Sequence, residues 1–189
     1  MRVCERIYRE RTKTMILNER ESRQDDLMNA VRQLMTVART APKGKGMDII
    51  EIAAVIGDDI RVLSEKMRAL GEESGLKFML RDAANILSAG AVLLIGTRAQ
   101  AHSLNCAHCG FFTCADKPDA TPCAINTIDV GIAVGSACAA AADLRLDTRV
   151  MFSAGLAAQK LNWLNGCQTV MAIPVSVSSK NPFFDRGNK

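Results

Sequence analysis

Aromatic side chains and histidine are scarce in this sequence of 189 residues, which contains one Trp, one Tyr, six Phe and two His. So few rings argue against a protein that binds nucleic acid by stacking bases on aromatic side chains. His102 and His108 are the only histidines, and both lie in a cysteine-bearing segment. Histidine catalysis elsewhere in the chain is therefore excluded, and any reaction would depend on a bound cofactor.

A large excess of charge of one sign is also missing. The net charge is +4, and residues 1–14, with five basic and two acidic side chains, account for +3 of it. The rest of the chain is close to neutral, which argues against binding to nucleic acid. We expect residues 1–14 to be a basic leader, either a disordered arm or a mis-called start. We expect residues 15–189 to form a single domain.

The sequence has little that would direct it into a membrane. Residues 1–14 contain no apolar segment of the kind found in secretory signals. The stretch from Cys123 to Ala142 has the length of a membrane span, but it contains Asn126 and Asp129 and many Ala and Gly residues. We therefore expect a buried helix of a cytoplasmic protein that does not contact a membrane.

Hydrophobic spacing predicts alternating helices and strands. Asn18, followed three residues later by Glu21, has the pattern of a helix N-cap. The continuous apolar run at 91–97 is typical of a strand that is buried on both faces. We predict helices at 18–41, 58–75, 78–88, 125–144 and 154–164, and strands at 49–56, 91–97, 149–152 and 169–177. This order indicates a three-layer α/β or α+β sheet protein.

Four of the seven cysteines lie in one segment without periodicity, at about residues 101–124. They are spaced C-x2-C-x4-C-x8-C, at Cys106, Cys109, Cys114 and Cys123. Such a long irregular segment is uncommon inside a compact domain unless something holds it together. Four thiolates on one metal centre would do so, and in a reducing compartment metal binding is favoured over disulfides.

Three interpretations of these cysteines compete. We favour a [4Fe–4S] cluster, which takes four thiolates, often three close together and one more distant. A structural zinc site also takes four cysteines, but usually as two C-x2-C pairs, and thiols without a metal are the third interpretation. His102 or His108 could replace one cysteine in a Cys3His zinc site, but we do not favour this, because spacer residues in such loops usually point outward. We expect Cys138 and Cys167 to be packing residues, and Cys4 belongs to the leader.

Two glycine-containing segments carry weaker signals. Residues 43–46 (KGKG) could present backbone amides and ammonium groups to a phosphate, although we favour a solvated turn that ends the first helix. Gly131 and Gly135 would let another backbone approach closely, either within one chain or at a twofold interface.

Several segments resemble a family of small prokaryotic proteins, described as ferredoxin-domain proteins of unknown function and distantly similar to FMN-dependent nitroreductases. The resemblance covers about residues 15–189 and is carried by NERESR, VARTAPKGKGMD, CAHCGFFTC, TIDVGIAVGSACAAAADL and IPVSVSSKNPFFDR. It implies an α+β, nitroreductase-like three-layer fold, with a metal-cluster loop between a buried strand and a central Ala/Gly-rich helix. It also implies a homodimer that holds FMN between its subunits.

The resemblance extends in part to nitroreductase motifs. Residues 20–23 (RESR) resemble the Arg-Arg-Ser-x-Arg run that holds the flavin phosphate. The Ala-Pro-Ser-x-x-Asn-x-Gln-Pro-Trp motif is matched at Ala41 and Pro42 only, and its Gln-Pro-Trp becomes Asp-Ile-Ile at 48–50. Residues 146–148 (LDT) resemble a Gly-Leu-Asp-Ser turn, with Arg145 in the glycine position.

These matches imply two sets of site residues. Cys106, Cys109, Cys114 and Cys123 would ligate the cluster, and the FMN phosphate would be held by Arg20, Arg23, Lys43, Lys45 and Arg186. Electrons would pass between a two-electron flavin and a one-electron cluster, supplied by NAD(P)H or a redox partner protein. Two alternatives stay open: an electron carrier or redox sensor without flavin, and a zinc-stapled structural protein.

Overall fold

The computed structural model describes residues 16–184, so the predicted leader at 1–14 and Arg186 lie outside the described residues. Within this range helices and strands alternate along the chain except for two consecutive helices at Asp59–Ser74 and Lys77–Ile86, and two short 3-10 turns lie at Gly44–Gly46 and Pro182–Phe184. The helices are α1 (Glu19–Thr40), α2 (Asp59–Ser74), α3 (Lys77–Ile86), α4 (Ala124–Asp143) and α5 (Phe152–Lys160), and the strands are β1 (Ile50–Ile56), β2 (Ala91–Arg98), β3 (Asp147–Thr148) and β4 (Cys167–Ser176).

The four strands form one sheet in the order β1-β2-β4-β3, and every neighbouring pair is antiparallel. β2 lies in the middle and pairs along its length with both β1 and β4. Its residues from Ala91 to Thr97 are all buried, because helices cover both faces of the sheet. The prediction of a strand buried on both sides is confirmed.

The two faces of the sheet carry separate cores. Successive side chains of a strand point to opposite faces. Val92 and Leu94 therefore pack against α2, α3 and α5, whereas Leu93 and Ile95 pack against α1 and α4. The predicted three-layer α+β arrangement is confirmed, with the irregular segment 99–123 joining the central strand β2 to α4.

The first helix begins where the sequence predicts. Asn18 is its N-cap, and the Asn18 Oδ1 accepts a hydrogen bond of 3.1 Å from the Arg20 N–H. Glu21 accepts from the Asn18 side-chain amide, also at 3.1 Å, rather than from the Asn18 backbone. The cap therefore forms through a variant of the expected capping box.

The strand predicted at 149–152 is wrong in its position. β3 lies earlier, at Asp147–Thr148, and Met151 makes only an isolated bridge to Ala172 before α5 begins. The Asp147 carboxylate accepts hydrogen bonds from the Ser178 N–H at 3.1 Å and from the Ser178 Oγ at 2.8 Å. These bonds hold Asp147 beside the end of β4. The alternation of apolar and polar residues does not predict this position for β3.

Helix α4 is long and apolar enough to cross a membrane by length and composition, a test that the core helix of a soluble protein also passes. Val130, Ala133 and Ala137 on its inner face are buried in the core with α1 and the sheet. Asn126 and Asp129 are buried as well and are hydrogen-bonded. We therefore describe α4 as the central helix of the fold.

Candidate functional site

The four cysteines predicted as metal ligands lie on the segment 99–123, which has no helix or strand. Cys106, Cys109 and Cys114 are half-buried, and Cys123 is buried directly before the first residue of α4. The fold thus places all four thiols on one loop, between the end of the central strand and the start of the central helix.

The backbone of this loop is unusual near its first two cysteines. Ser103, Asn105 and Ala107 have φ values of 54°, 47° and 58°, a region that residues other than glycine rarely adopt. Each such residue costs about 1–2 kcal/mol, so the surrounding structure must compensate. The Gly110 N–H donates to the Ala107 carbonyl at 2.9 Å and closes a turn that contains Cys109. Strained backbone of this kind concentrates at functional sites.

Asn105 connects the first part of the loop to Cys114. The Cys114 N–H donates to the Asn105 Oδ1 at 2.9 Å, and the Asn105 N–H donates to the Cys114 Sγ at 3.4 Å. This reciprocal pair holds Cys114 next to the residue that precedes Cys106. It also gives the Cys114 sulfur an amide donor, and such donors stabilise thiolates and tune the potential of iron–sulfur clusters.

The sulfur atoms are not gathered into a closed centre. Among residues 16–184, no three His, Cys, Asp or Glu side chains are arranged to hold a metal ion. The ligand set therefore stays a prediction. The chemistry of the donors fits a soft metal or an iron–sulfur cluster, because four free thiols share one short segment. Metal binding would have to draw the loop together, as in sites where binding is coupled to folding.

A buried polar cluster joins the loop to α4 and to the Gly44–Gly46 turn. His102 is 1% exposed, and its Nε2 lies 3.0 Å from the Asp129 Oδ2. The Gly44 N–H is shared between the two Asp129 oxygens, at 3.0 and 3.2 Å. The expectation that both loop histidines point outward is wrong for His102. His108 is exposed, and its Nδ1 lies 3.0 Å from the Cys106 carbonyl oxygen.

In the sequence alone, Asp129 is evident only as a residue that disfavours membrane insertion. A carboxylate inside an apolar helix is a stronger signal than that, because a buried charge needs a partner. His102 is that partner. The Gly44–Gly46 turn is exposed at Lys45 and Gly46, as expected of a solvated turn, but Gly44 lies close to α4, since a Cβ on Gly44 would lie 2.7 Å from the Ile125 Cγ2.

Three of the basic residues predicted for the flavin phosphate, Arg23, Lys43 and Lys45, have partners of their own. Arg23 pairs with Glu19 at 2.6 Å, and this hydrogen bond lowers the pKa of Glu19 and raises the pKa of Arg23. The Lys43 Nζ donates to the Ala41 carbonyl at 2.7 Å and also to the Arg39 carbonyl. The Lys45 Nζ donates to the His102 carbonyl at 3.4 Å.

Within one chain these basic residues form two separate groups. Arg20 and Arg23 lie in the first turns of α1, whereas Lys43 and Lys45 follow its last residue. α1 has 22 residues, and at about 1.5 Å per residue it is roughly 33 Å long. A single phosphate cannot contact both groups in one chain, so a shared site requires two copies of the protein.

The other two described cysteines lie in the helix and strand framework. Burial raises the pKa of Cys138, and burial together with the nearby Glu51 carboxylate raises the pKa of Cys167 to about 11. Both are packed with core residues, which agrees with the packing roles predicted for them. A raised thiol pKa makes both residues poor nucleophiles and poor metal ligands.

Two comparisons show the family. Residues 119–186 match a family model described as "Uncharacterized protein containing a ferredoxin domain". A protein of Archaeoglobus fulgidus, described as uncharacterized, is 38% identical over 185 residues, which cover 93% of this chain and 100% of that protein. The chain belongs to this ferredoxin-domain family.

Solved structures show the fold of this ferredoxin-domain protein. A nitroreductase with bound FMN from Desulfitobacterium hafniense has a TM-score of 0.56 at 14% identity, over 82% of this chain and 79% of that one. The FMN-dependent nitroreductase NfnB from Mycobacterium smegmatis, in complex with NADPH, has a TM-score of 0.54 at 12% identity, over 82% and 81%. The nitroreductase-like fold is therefore confirmed.

The match to a third structure covers a smaller share of that structure than of our chain. The hypothetical oxidoreductase YcnD from Bacillus subtilis has a TM-score of 0.53 at 16% identity, and the match covers 81% of the ferredoxin-domain protein. It covers 58% of YcnD, so our chain spans less than two thirds of that structure. At these identities the likeness establishes a common fold. Family membership and fold together support a redox protein.

Proposed function

We propose that this ferredoxin-domain protein carries a [4Fe–4S] cluster and FMN, and that it acts as an FMN-dependent oxidoreductase. The observation that carries the proposal is the loop 99–123, in which four thiols share one segment with a strained backbone and an amide donor to sulfur. The cluster would be held by the thiolates of Cys106, Cys109, Cys114 and Cys123.

The start of α4 places Cys123 on a rigid element. This residue is buried and is the N-cap of a 20-residue helix. The first backbone N–H groups of a helix are unpaired along the axis, and the helix dipole places partial positive charge at this end. A negatively charged centre bound at Cys123 would be stabilised by that positive end.

A homodimer would complete the flavin site. The outer face of α4 is apolar, with Ile128 and Ile132 49% and 38% exposed. A Cβ added at Gly131 or Gly135 would meet no atom within 4 Å. A second copy packed on this face would bury the isoleucines and use the glycines for close approach. A flavin bound between two copies could then contact opposite ends of two α1 helices.

When bound, the flavin would accept or donate two electrons and the cluster would transfer them singly. NAD(P)H or a redox partner protein would supply these electrons. We propose a cytoplasmic location, because a reducing compartment keeps cysteine thiols free. Arg20, Arg23, Lys43, Lys45 and Arg186 would neutralise the flavin phosphate. Residues 15–189 would form the single domain that holds both groups.

One observation favours a second function, that of an electron carrier or redox sensor without flavin. Lys43 and Lys45 both donate to carbonyl groups of their own chain. Asp48, in the position of the nitroreductase Gln, is paired with Arg39 at 2.6 Å. These contacts would have to be exchanged before the turn could contact a flavin.

Purification without oxygen separates these functions. We expect a brown protein whose visible spectrum has broad cluster absorption and, after addition of FMN, two flavin bands that stay with the protein on gel filtration. Cluster absorption with no retained flavin supports the electron carrier. A colourless protein that contains zinc and no iron contradicts both and supports the zinc-stapled structural protein.

A further inference from the structure

His102 has one ring nitrogen that the described structure leaves without a partner. Two buried side-chain polar atoms of residues 16–184 have no hydrogen-bond partner: the His102 Nδ1 and the Asn126 Oδ1. The His102 side chain is almost completely buried, so it is shielded from bulk solvent. An unpaired buried acceptor or donor is costly and calls for an explanation, such as an ion.

The contact with Asp129 uses the other ring nitrogen of His102. Both Asp129 oxygens accept from the Gly44 N–H, and the His102 Nε2 lies 3.0 Å from the Asp129 Oδ2. A neutral imidazole whose Nε2 donates to a carboxylate has a free lone pair on its Nδ1.

This arrangement is the one that proteins use for a metal-bound histidine. Such a histidine almost always donates its other ring N–H to a carboxylate or carbonyl, which fixes the tautomer and the ring orientation. Asp129 is that carboxylate, and the Gly44 N–H and helix α4 hold it in place. His102 also precedes Cys106 by four residues, so the sequence reads H-x3-C-x2-C-x4-C.

We propose that the His102 Nδ1 is a ligand of the metal centre in the loop, where it takes the place of one of the four thiolates. The inference rests on the proposed metal centre and changes its donor set to one imidazole and three thiolates. Asp129 is a positioning residue, because it acts on the metal through His102. Replacing a thiolate with a neutral imidazole makes a cluster less negative and raises its reduction potential.

The two histidines of the sequence make a direct spectroscopic test available. The full chain is labelled with 15N-histidine, reconstituted without oxygen with iron and sulfide, reduced, and studied by pulsed EPR. We expect 15N hyperfine coupling in the wild type and in H108Q, and its loss in H102Q. The glutamine side chain in H102Q would keep an amide near the Nε2 position to donate to Asp129 but would have no atom to replace the Nδ1.

Three outcomes would contradict these proposals in different ways. If iron and sulfide form no cluster in any of these proteins, the proposed function fails. If the cluster forms but the wild type shows no coupling from histidine nitrogen, the proposed function stands and the His102 ligand is refuted. Coupling that disappears in H108Q instead would assign the ligand to His108 and also refute the inference.

The carboxylate provides a second test with a different readout. Metal-free D129N and the control D119N are titrated with Co²⁺ in competition with a chelator. We expect D129N to bind Co²⁺ about 10–100-fold more weakly than D119N, because it disturbs the group that orients the ligand. Equal affinities would contradict the positioning role. Thermal unfolding of both apo proteins checks that they are folded. If D129N is not folded, the pulsed EPR spectrum of H102Q is the test that decides whether His102 is a ligand.

Discussion

At the scale of single residues, the same side-chain type has different roles because its surroundings differ. Cys138 and Cys167 are packed with core residues, and burial raises the pKa of both thiols. Cys106, Cys109 and Cys114 are half-buried on the loop, where the Cys114 Sγ accepts a hydrogen bond from the Asn105 N–H. The spacing of the cysteines along the sequence correctly distinguishes the loop cysteines from the two core cysteines. It does not reveal the His102–Asp129 pair, whose members are 27 residues apart and meet only in the folded chain.

A pair of cysteine variants tests the division between loop and core thiols. Cys109→Ser should lose the metal centre, because it removes a thiolate from the turn that the Gly110 N–H closes. Cys138→Ser should keep the full metal content, since Cys138 lies on α4 among core residues. Iron analysis and the visible spectrum measure both, and equal metal content in the two variants would remove Cys109 from the ligand set.

The raised pKa of Cys167 predicts how stability depends on pH. Its thiol has a pKa of about 11 in the folded protein, mainly because it is buried, against the ordinary cysteine value of 9.0 that applies to an unfolded chain. Between these values the unfolded chain loses the proton and the folded protein keeps it. The free energy of unfolding should therefore fall as pH rises through this window, by up to about 1.4 kcal/mol per pH unit.

Cys167→Ala isolates this contribution. Its free energy of unfolding should fall less steeply than that of the wild type above pH 9, and the difference between the two proteins should be constant at lower pH. Urea unfolding at a series of pH values measures both curves. Parallel curves across the whole range would show that Cys167 does not titrate in this way.

At the scale of helices and strands, hydrophobic periodicity predicts most of the fold. β2 and the inner faces of α1 and α4 follow directly from apolar spacing, because each contributes to a core on one side of the sheet. β3 is missed because hydrogen bonds to Asp147 fix it rather than an apolar pattern. Arg145 has a φ of 58° and occupies the glycine position of the related turn. Arginine rarely adopts this conformation, so the sequence does not predict it.

The contact between α5 and β4 gives a prediction at this scale. A Cβ on Gly155 would lie 2.1 Å from the Val170 carbonyl oxygen and 2.7 Å from its carbonyl carbon, both backbone atoms. Gly155→Ala should therefore push α5 away from the sheet and destabilise the protein by about 1–3 kcal/mol. Lys160→Ala, on the exposed end of the same helix, should change stability by less than about 0.5 kcal/mol. A similar melting temperature for both variants would contradict this close packing.

At the scale of the whole molecule, one chain does not bring its predicted flavin contacts together. Arg20 and Arg23 lie at one end of α1, and Lys43 and Lys45 lie beyond the other end. Motif matches in the sequence do not show how far apart these residues lie. In the folded chain the whole length of α1 separates the two groups. The proposed dimer through the exposed face of α4 would account for this separation and for the exposed Ile128 and Ile132.

A charge on this face should disrupt the dimer. Ile132→Glu should elute as a monomer in gel filtration with light scattering, because the carboxylate would be buried in an apolar contact without a partner. Leu87→Glu is the matched control: Leu87 is 49% exposed at the end of α3, in the layer on the opposite face of the sheet. A wild type that is monomeric, or an Ile132→Glu variant that stays dimeric, would contradict the α4 interface.

The presence of an iron–sulfur centre in the loop is tested most directly by its iron and sulfide content. The protein is purified without oxygen, and iron, zinc and acid-labile sulfide are measured per chain, beside a variant with Cys106, Cys109, Cys114 and Cys123 all replaced by Ser. We predict about four iron and four sulfide per chain, as a [4Fe–4S] cluster contains, and neither in the variant. One zinc per chain without sulfide, or the same iron content in both proteins, would contradict the account.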